Sequence, residues 1–183
     1  MNTIVINDTT IEILVNKIIE STSDAIVIPT NSRLLPSGVV RCEVLKSAGA
    51  QVQLECNRII NKIGVISTGS AVITSAGELK SKHIIHVLGP NMGQGKEGKK
   101  LMLATWNSLR LADKRNLESI AFSPISMDHV GFSPKISAEF MLPTIKKYIT
   151  EKPRTSLKKV ELYLPNLPEY KEFERVLDKM KEN

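Results

Sequence analysis

Three histidines, two cysteines and one glycine–lysine run are the residues of this 183-residue chain whose types could do chemistry. His83 and His86 stand three apart in a β-like run, which turns them to opposite faces and prevents their acting as a pair. His86 reads as a satisfied core histidine rather than a base. Asp128 and His129 differ, because they are adjacent titratable groups in a loop that follows a strand. Histidine titrates near neutral pH, so the pair could serve as general acid and base. No G-x-S-x-G elbow accompanies them to supply an activated serine. Cys42 and Cys56 are too few for a disulfide framework, and no His/Cys cluster has metal-ligand spacing, so no metal site is expected. Gly93-Gln-Gly95-Lys96-Glu97-Gly98-Lys99-Lys100 matches G-x-G-x-x-G and misses G-x-x-x-x-G-K-[ST] at its last residue alone. Lys100 cannot supply the hydroxyl that holds magnesium there, and four residues separate the run from its strand. It reads as a mobile, solvated loop.

The elements that must position these residues follow from periodicity. Thr3 to Ile6 and Thr10 to Val15 read as strands divided by a turn at Asn7 and Asp8. Asp24 to Pro29 is almost continuously apolar, as expected of a strand buried on both faces. From Val40 to Ile63 apolar residues recur at three and four, which predicts one long helix with a bend position at Gly49. Ala71 to Thr74, His83 to Leu88, Ser119 to Ser123 and Lys158 to Leu164 read as strands. Leu101 to Leu111, Pro134 to Ile149 and Glu169 to Met180 read as helices, the second despite Pro143. Strands alternating with helices predict a single α/β domain over residues 1–183, with a mixed, mostly parallel sheet inside a three-layer α/β/α sandwich. Ligands of such sheets bind beyond the carboxyl ends of the strands. That points to the loops 30–39, 89–98 and 125–134.

Composition narrows the class. The chain carries 25 basic and 19 acidic residues, net +6, with 42% hydrophobic residues, which excludes wholesale disorder. No apolar run approaches the roughly 20 residues of a membrane span. No basic and apolar leader opens the chain, so a cytoplasmic, reducing setting is expected. The basic excess leaves RNA open as a partner, although four Phe, three Tyr and one Trp make stacking platforms scarce.

Several blocks together resemble the macro domain family. Asp24-Ala-Ile-Val-Ile-Pro-Thr-Asn31-Ser32 is similar to the family's DAIVNAANS, and Val40-Arg-Cys-Glu-Val-Leu-Lys-Ser-Ala-Gly49 to its VDGAIHRAAG. Leu54-Glu-Cys56, the Gly69 to Leu79 stretch, His83-Ile-Ile-His-Val-Leu-Gly-Pro90, Asn107-Ser-Leu109 and Ser119 to Ser126 match the following blocks in order. The resemblance runs from about residue 10 to residue 150. It implies the three-layer fold and binding of ADP-ribose or a related nucleotide, with no cofactor. Some family members also hydrolyse ADP-ribosyl esters or ADP-ribose phosphates.

Carried over residue by residue, the resemblance implies a ligand site made of Lys17, Ile18, Asn31, Ser37, Gly38, Val39, Val40, Arg41, Ser126, Met127, Asp128, His129, Val130, Gly131 and Phe132. Asn31 would contact the distal ribose, and Asn31, His129 and Asp128 are the catalytic candidates. The departures point away from efficient hydrolysis. Lys17 replaces the aspartate that accepts the adenine amino proton, and an ammonium has donors only. Val39 replaces a glycine of the first phosphate loop, and Arg41 falls where hydrolytic members carry an acid. The expected function is therefore a binder of ADP-ribose or a relative. The alternatives are a hydrolase using His129 and Asp128, an RNA or other-nucleotide binder, and a degenerate scaffold.

Overall fold

The computed structural model describes residues 2–127 and 131–182. Seven strands, β1 (Thr3–Ile6), β2 (Thr9–Val15), β3 (Ala25–Pro29), β4 (Ala71–Ser75), β5 (His83–Val87), β6 (Ser119–Phe122) and β7 (Lys159–Leu164), form one sheet. Their order is β1-β2-β7-β6-β3-β5-β4. The five inner strands run parallel, and the two edge strands β1 and β4 are antiparallel to their neighbours.

The helices are α1 (Val39–Ala48), α2 (Ala50–Ile63), α3 (Glu97–Lys114), α4 (Pro134–Glu151) and α5 (Leu167–Lys181). They fall on two faces because strand side chains alternate. On β3, Ala25 and Val27 enter one core with residues of α3, α4 and α5, whereas Ile26 and Ile28 enter the other with residues of α1 and α2. All four of these side chains are essentially inaccessible. That two-sided burial is why β3 lacks polar alternation, and it makes the three-layer α/β/α sandwich.

The helix expected over Val40 to Ile63 is two helices. Gly49 lies between them at φ 86°, a value that breaks the helical path. The Ala48 carbonyl at the end of α1 accepts from Glu78 N–H (3.0 Å) in the β4–β5 turn. The other predicted elements differ mainly at their ends, and α3 begins earlier, at Glu97. In α4, Ser133 caps the amino end by accepting from Ile136 N–H, and Pro143 lies on an exposed surface within the helix.

Candidate functional site

A cleft of about 390 Å3 opens beyond the carboxyl ends of four adjacent parallel strands. Asn16, Lys17 and Ile18 follow β2, Pro29 ends β3, Ser123, Pro124 and Met127 follow β6, and Tyr163 and Pro165 end and follow β7. Val39, Val40 and Glu43 bring the first turns of α1 to the same space, and Glu169 does so for α5. Helix α1 starts from Gly38 at φ 68°, without a side-chain cap. Its first amides therefore stay unpartnered within the helix and aim their partial positive charge toward the cleft mouth, where an anion is favoured.

Of the residues expected here, Lys17, Ile18, Val39, Val40 and Met127 line the cleft. Lys17 Nζ forms an ion pair with Glu43 Oε1 at 2.7 Å, which raises the pKa of the lysine through that hydrogen bond and charge. The rim at this corner therefore carries an acceptor beside the donor. Glu43 was not anticipated, although its place one helical turn after Val39 is the signal that could have found it. Tyr163 and Pro165 were missed as well, and the strand-end rule applied to β7 points to them.

Asn31 acts locally instead. Its Oδ1 accepts from Arg33 and Leu35 N–H (both 3.1 Å), while Nδ2 donates to the Leu35 carbonyl (2.8 Å) and Ser37 Oγ (2.9 Å). One side chain thereby folds the loop that delivers Ser37 and Gly38 to α1. Ser126 is buried at φ 63°, with its hydroxyl where a side chain at Gly89 would have to go. Phe132 belongs to the core, and Gly131 is exposed at φ 87°. Asp128, His129 and Val130 lie outside the described residues.

Arg41 corrects the expectation that it faces a ligand. It is 1% exposed and turns inward from α1 beneath the 31–37 loop. Nη2 donates to the Leu34 carbonyl (2.6 Å), Nε to the Leu35 carbonyl (2.9 Å), and Nη1 to His86 Nδ1 (2.7 Å). Burial first, and the Arg41 charge second, hold the His86 pKa well below the usual imidazole value. A neutral ring that accepts at Nδ1 must carry its proton on Nε2, and that atom lies 2.9 Å from Thr74 Oγ1. Thr74 then donates to the Ser75 carbonyl (2.8 Å). The reading of His86 as a satisfied core residue holds.

The glycine–lysine run lies apart from the cleft lining, and its geometry is self-filled. Glu97 Oε1 accepts from Gly93 N–H (2.9 Å) and Gly95 N–H (3.0 Å), occupying amides that a phosphate loop would offer its ligand. Hydrogen bonds from backbone amides hold the Glu97 carboxyl below its ordinary pKa.

The Macro domain family model matches residues 27–141. A macro domain-containing protein of Listeria monocytogenes is 41% identical over 152 residues, covering 82% of this chain and 86% of the relative. A protein of Enterobacter named O-acetyl-ADP-ribose deacetylase is 34% identical over 145 residues, covering 78% of this chain and 81% of that protein. Among solved structures, a variant of the Oceanobacillus iheyensis macrodomain with ADPR superposes with a TM-score of 0.94 at 28% identity, covering 99% of this chain and 98% of that one. The same macrodomain with ADP gives 0.93 at 29% identity, over 98% and 96% of the two chains. Strand order, the cleft at the strand ends and these likenesses agree: the chain belongs to the macro domain family.

Proposed function

We propose that the cleft binds ADP-ribose or a closely related nucleotide derivative and does not hydrolyse it efficiently. The observation that carries this reading is the uncapped start of α1 at the mouth of a cleft over four parallel strand ends. The first-turn amides suit the diphosphate. The apolar Ile18, Val40 and Tyr163 suit a nucleoside, and the Lys17–Glu43 pair meets its polar edge. The likeness to macrodomains bound to ADPR and ADP supports the same ligand class.

Two features argue against efficient hydrolysis. Arg41 stands where the resemblance places an acid, and its guanidinium is committed to backbone carbonyls and His86. Asn31 has both ends of its amide engaged within its own loop. Calorimetric titration with ADP-ribose, with IMP and GMP as base controls, tests the binding. Micromolar affinity for ADP-ribose is expected, and absence of heat with it would overturn the reading.

The Enterobacter relative's name motivates one further assay, release of acetate from O-acetyl-ADP-ribose. The expected outcome is no sustained turnover. Sustained turnover lost in His129→Ala would replace this reading with a hydrolase that uses His129.

A further inference from the structure

A second and larger cavity, about 800 Å3, lies between the carboxyl-terminal halves of α3 and α4 and shares no lining residue with the cleft. Four cations border it: Arg110 and Lys114 from successive turns of α3, and Lys152 and Arg154 from the end of α4 and the segment after it. All four are exposed. None forms an ion pair within 4 Å among the described residues.

Among the described residues the one acid on this border, Asp113, is already committed. Asp113 Oδ2 accepts from the Tyr148 hydroxyl (2.9 Å), and Oδ1 accepts from Ser156 N–H (2.8 Å) and Oγ (3.0 Å). Burial opposes ionisation of Asp113, but these hydrogen bonds outweigh it and lower the pKa, so the carboxylate ties α3 to the segment after α4. A cation in the last turn of a helix is common, because the dipole favours it there. That accounts for Lys114 and leaves Arg110 and Arg154 without such an explanation.

Trp106 gives the groove a second kind of surface. It is the only tryptophan in the chain, half-buried on the same border, and held edge-on to Tyr148 with ring centroids 4.7 Å apart and planes at 72°. A fixed indole beside unpaired cations is what a single strand needs, since bases stack on aromatic rings while phosphates meet lysine and arginine. A metabolite carrying one phosphate would leave most of these cations unused. We propose that the α3–α4 groove binds single-stranded nucleic acid, stacking a base on Trp106 and placing phosphates against Arg110, Lys114, Lys152 and Arg154. This inference is independent of the ligand assigned to the cleft.

Because Trp106 is the sole indole, its fluorescence reports on this groove alone. Titration of the full chain with a single-stranded oligonucleotide of about 12 nucleotides should quench it, and affinity should fall steeply with salt. Four phosphate contacts predict a loss of about 50-fold between 50 and 200 mM salt. Arg110→Glu with Arg154→Glu should weaken binding by more than about tenfold, since both side chains are exposed and the fold does not depend on them. Lys99→Glu with Lys158→Glu removes the same charge elsewhere and should change affinity less than about twofold. Three outcomes would overturn the proposal: no quenching at saturation, equal losses in the two double variants, or equal binding of inorganic polyphosphate, which would mark a polyanion surface with no role for the base.

Discussion

At the scale of single residues, the chemistry of this chain departs most from its sequence resemblance at Lys17 and Arg41, and the two departures have different meanings. Lys17 faces the cleft and is neutralised by Glu43, so base preference is set by a pair rather than by a lone ammonium. Lys17→Asp combined with Glu43→Gln leaves one carboxylate and no acid–acid repulsion at this corner. A hydrogen bond of about 0.5–1.5 kcal/mol to an adenine amino group would tighten ADP-ribose binding by roughly 2- to 12-fold in calorimetry. Arg41 instead stabilises the fold. Arg41→Ala removes one donor each from the carbonyls of Leu34 and Leu35, which keep Gln53 and Asn31 as donors, and orphans the acceptor nitrogen of His86, so it should cost about 2–3 kcal/mol in urea unfolding. His86 adds a pH signature through the same network. Its folded pKa is depressed, so the unfolded chain binds the extra proton once pH falls below about 6.5. Stability from this group is complete above that value and is lost as pH falls toward the folded pKa, at up to about 1.4 kcal/mol per pH unit. Urea midpoints measured from pH 7 to pH 5 should decline in the wild type, and His86→Gln should be less stable at pH 7 with a flatter profile.

At the scale of elements, the junction of α1, α2 and the β4–β5 turn explains both what periodicity could convey and what it could not. Apolar spacing from Val40 onward marks a helical face correctly, and Val44, Ala48, Val52 and Cys56 all enter one core. The break at Gly49 depends on a contact distant in sequence, the Glu78 N–H on the Ala48 carbonyl, which no local pattern encodes. Gly77 makes that contact possible. It lies at φ 57°, and a Cβ placed there would sit 1.9 Å from the Ala48 oxygen. Gly77→Ala should therefore cost about 2–4 kcal/mol, adding overpacking against backbone to left-handed strain. Gly95→Ala, at φ 76° with nothing within 4 Å of the added atom, should cost only the strain, about 1–2 kcal/mol. Denaturant midpoints of the two variants separate the effects. The same limit governs the site. Val39 and Met127 were legible because they fall in loops 30–39 and 125–134, which the strand pattern locates, whereas Ile18 and Val40 came only from the family resemblance. The inward turn of Arg41 was not legible, because a cation aligned with a family acid gives no sign of carbonyls waiting beneath it.

For the whole molecule, the fold carries two surfaces of unlike chemistry. The cleft follows the ends of β2, β7, β6 and β3, whereas the basic groove runs between α3 and α4 and has no lining residue in common with it. Sequence showed the net charge of +6 but not its placement, because Arg110, Lys114, Lys152 and Arg154 converge only when α3 packs on α4. Ligands that bind the folded chain at separate sites stabilise it independently, each by about 2.7 kcal/mol at a hundred times its dissociation constant. In a chain of this size that raises the melting temperature by about 5–10 °C. ADP-ribose and a single-stranded oligonucleotide, each at that excess and low salt, should give shifts that add when both are present. Raising the salt should remove the oligonucleotide's share and leave most of the ADP-ribose share, because a compact diphosphate engages fewer charges than a strand. A combined shift no larger than either alone would mean that the two ligands compete for one surface. The nucleic-acid site would then have to be sought at the cleft, with Lys17 and the first turn of α1 as its contacts.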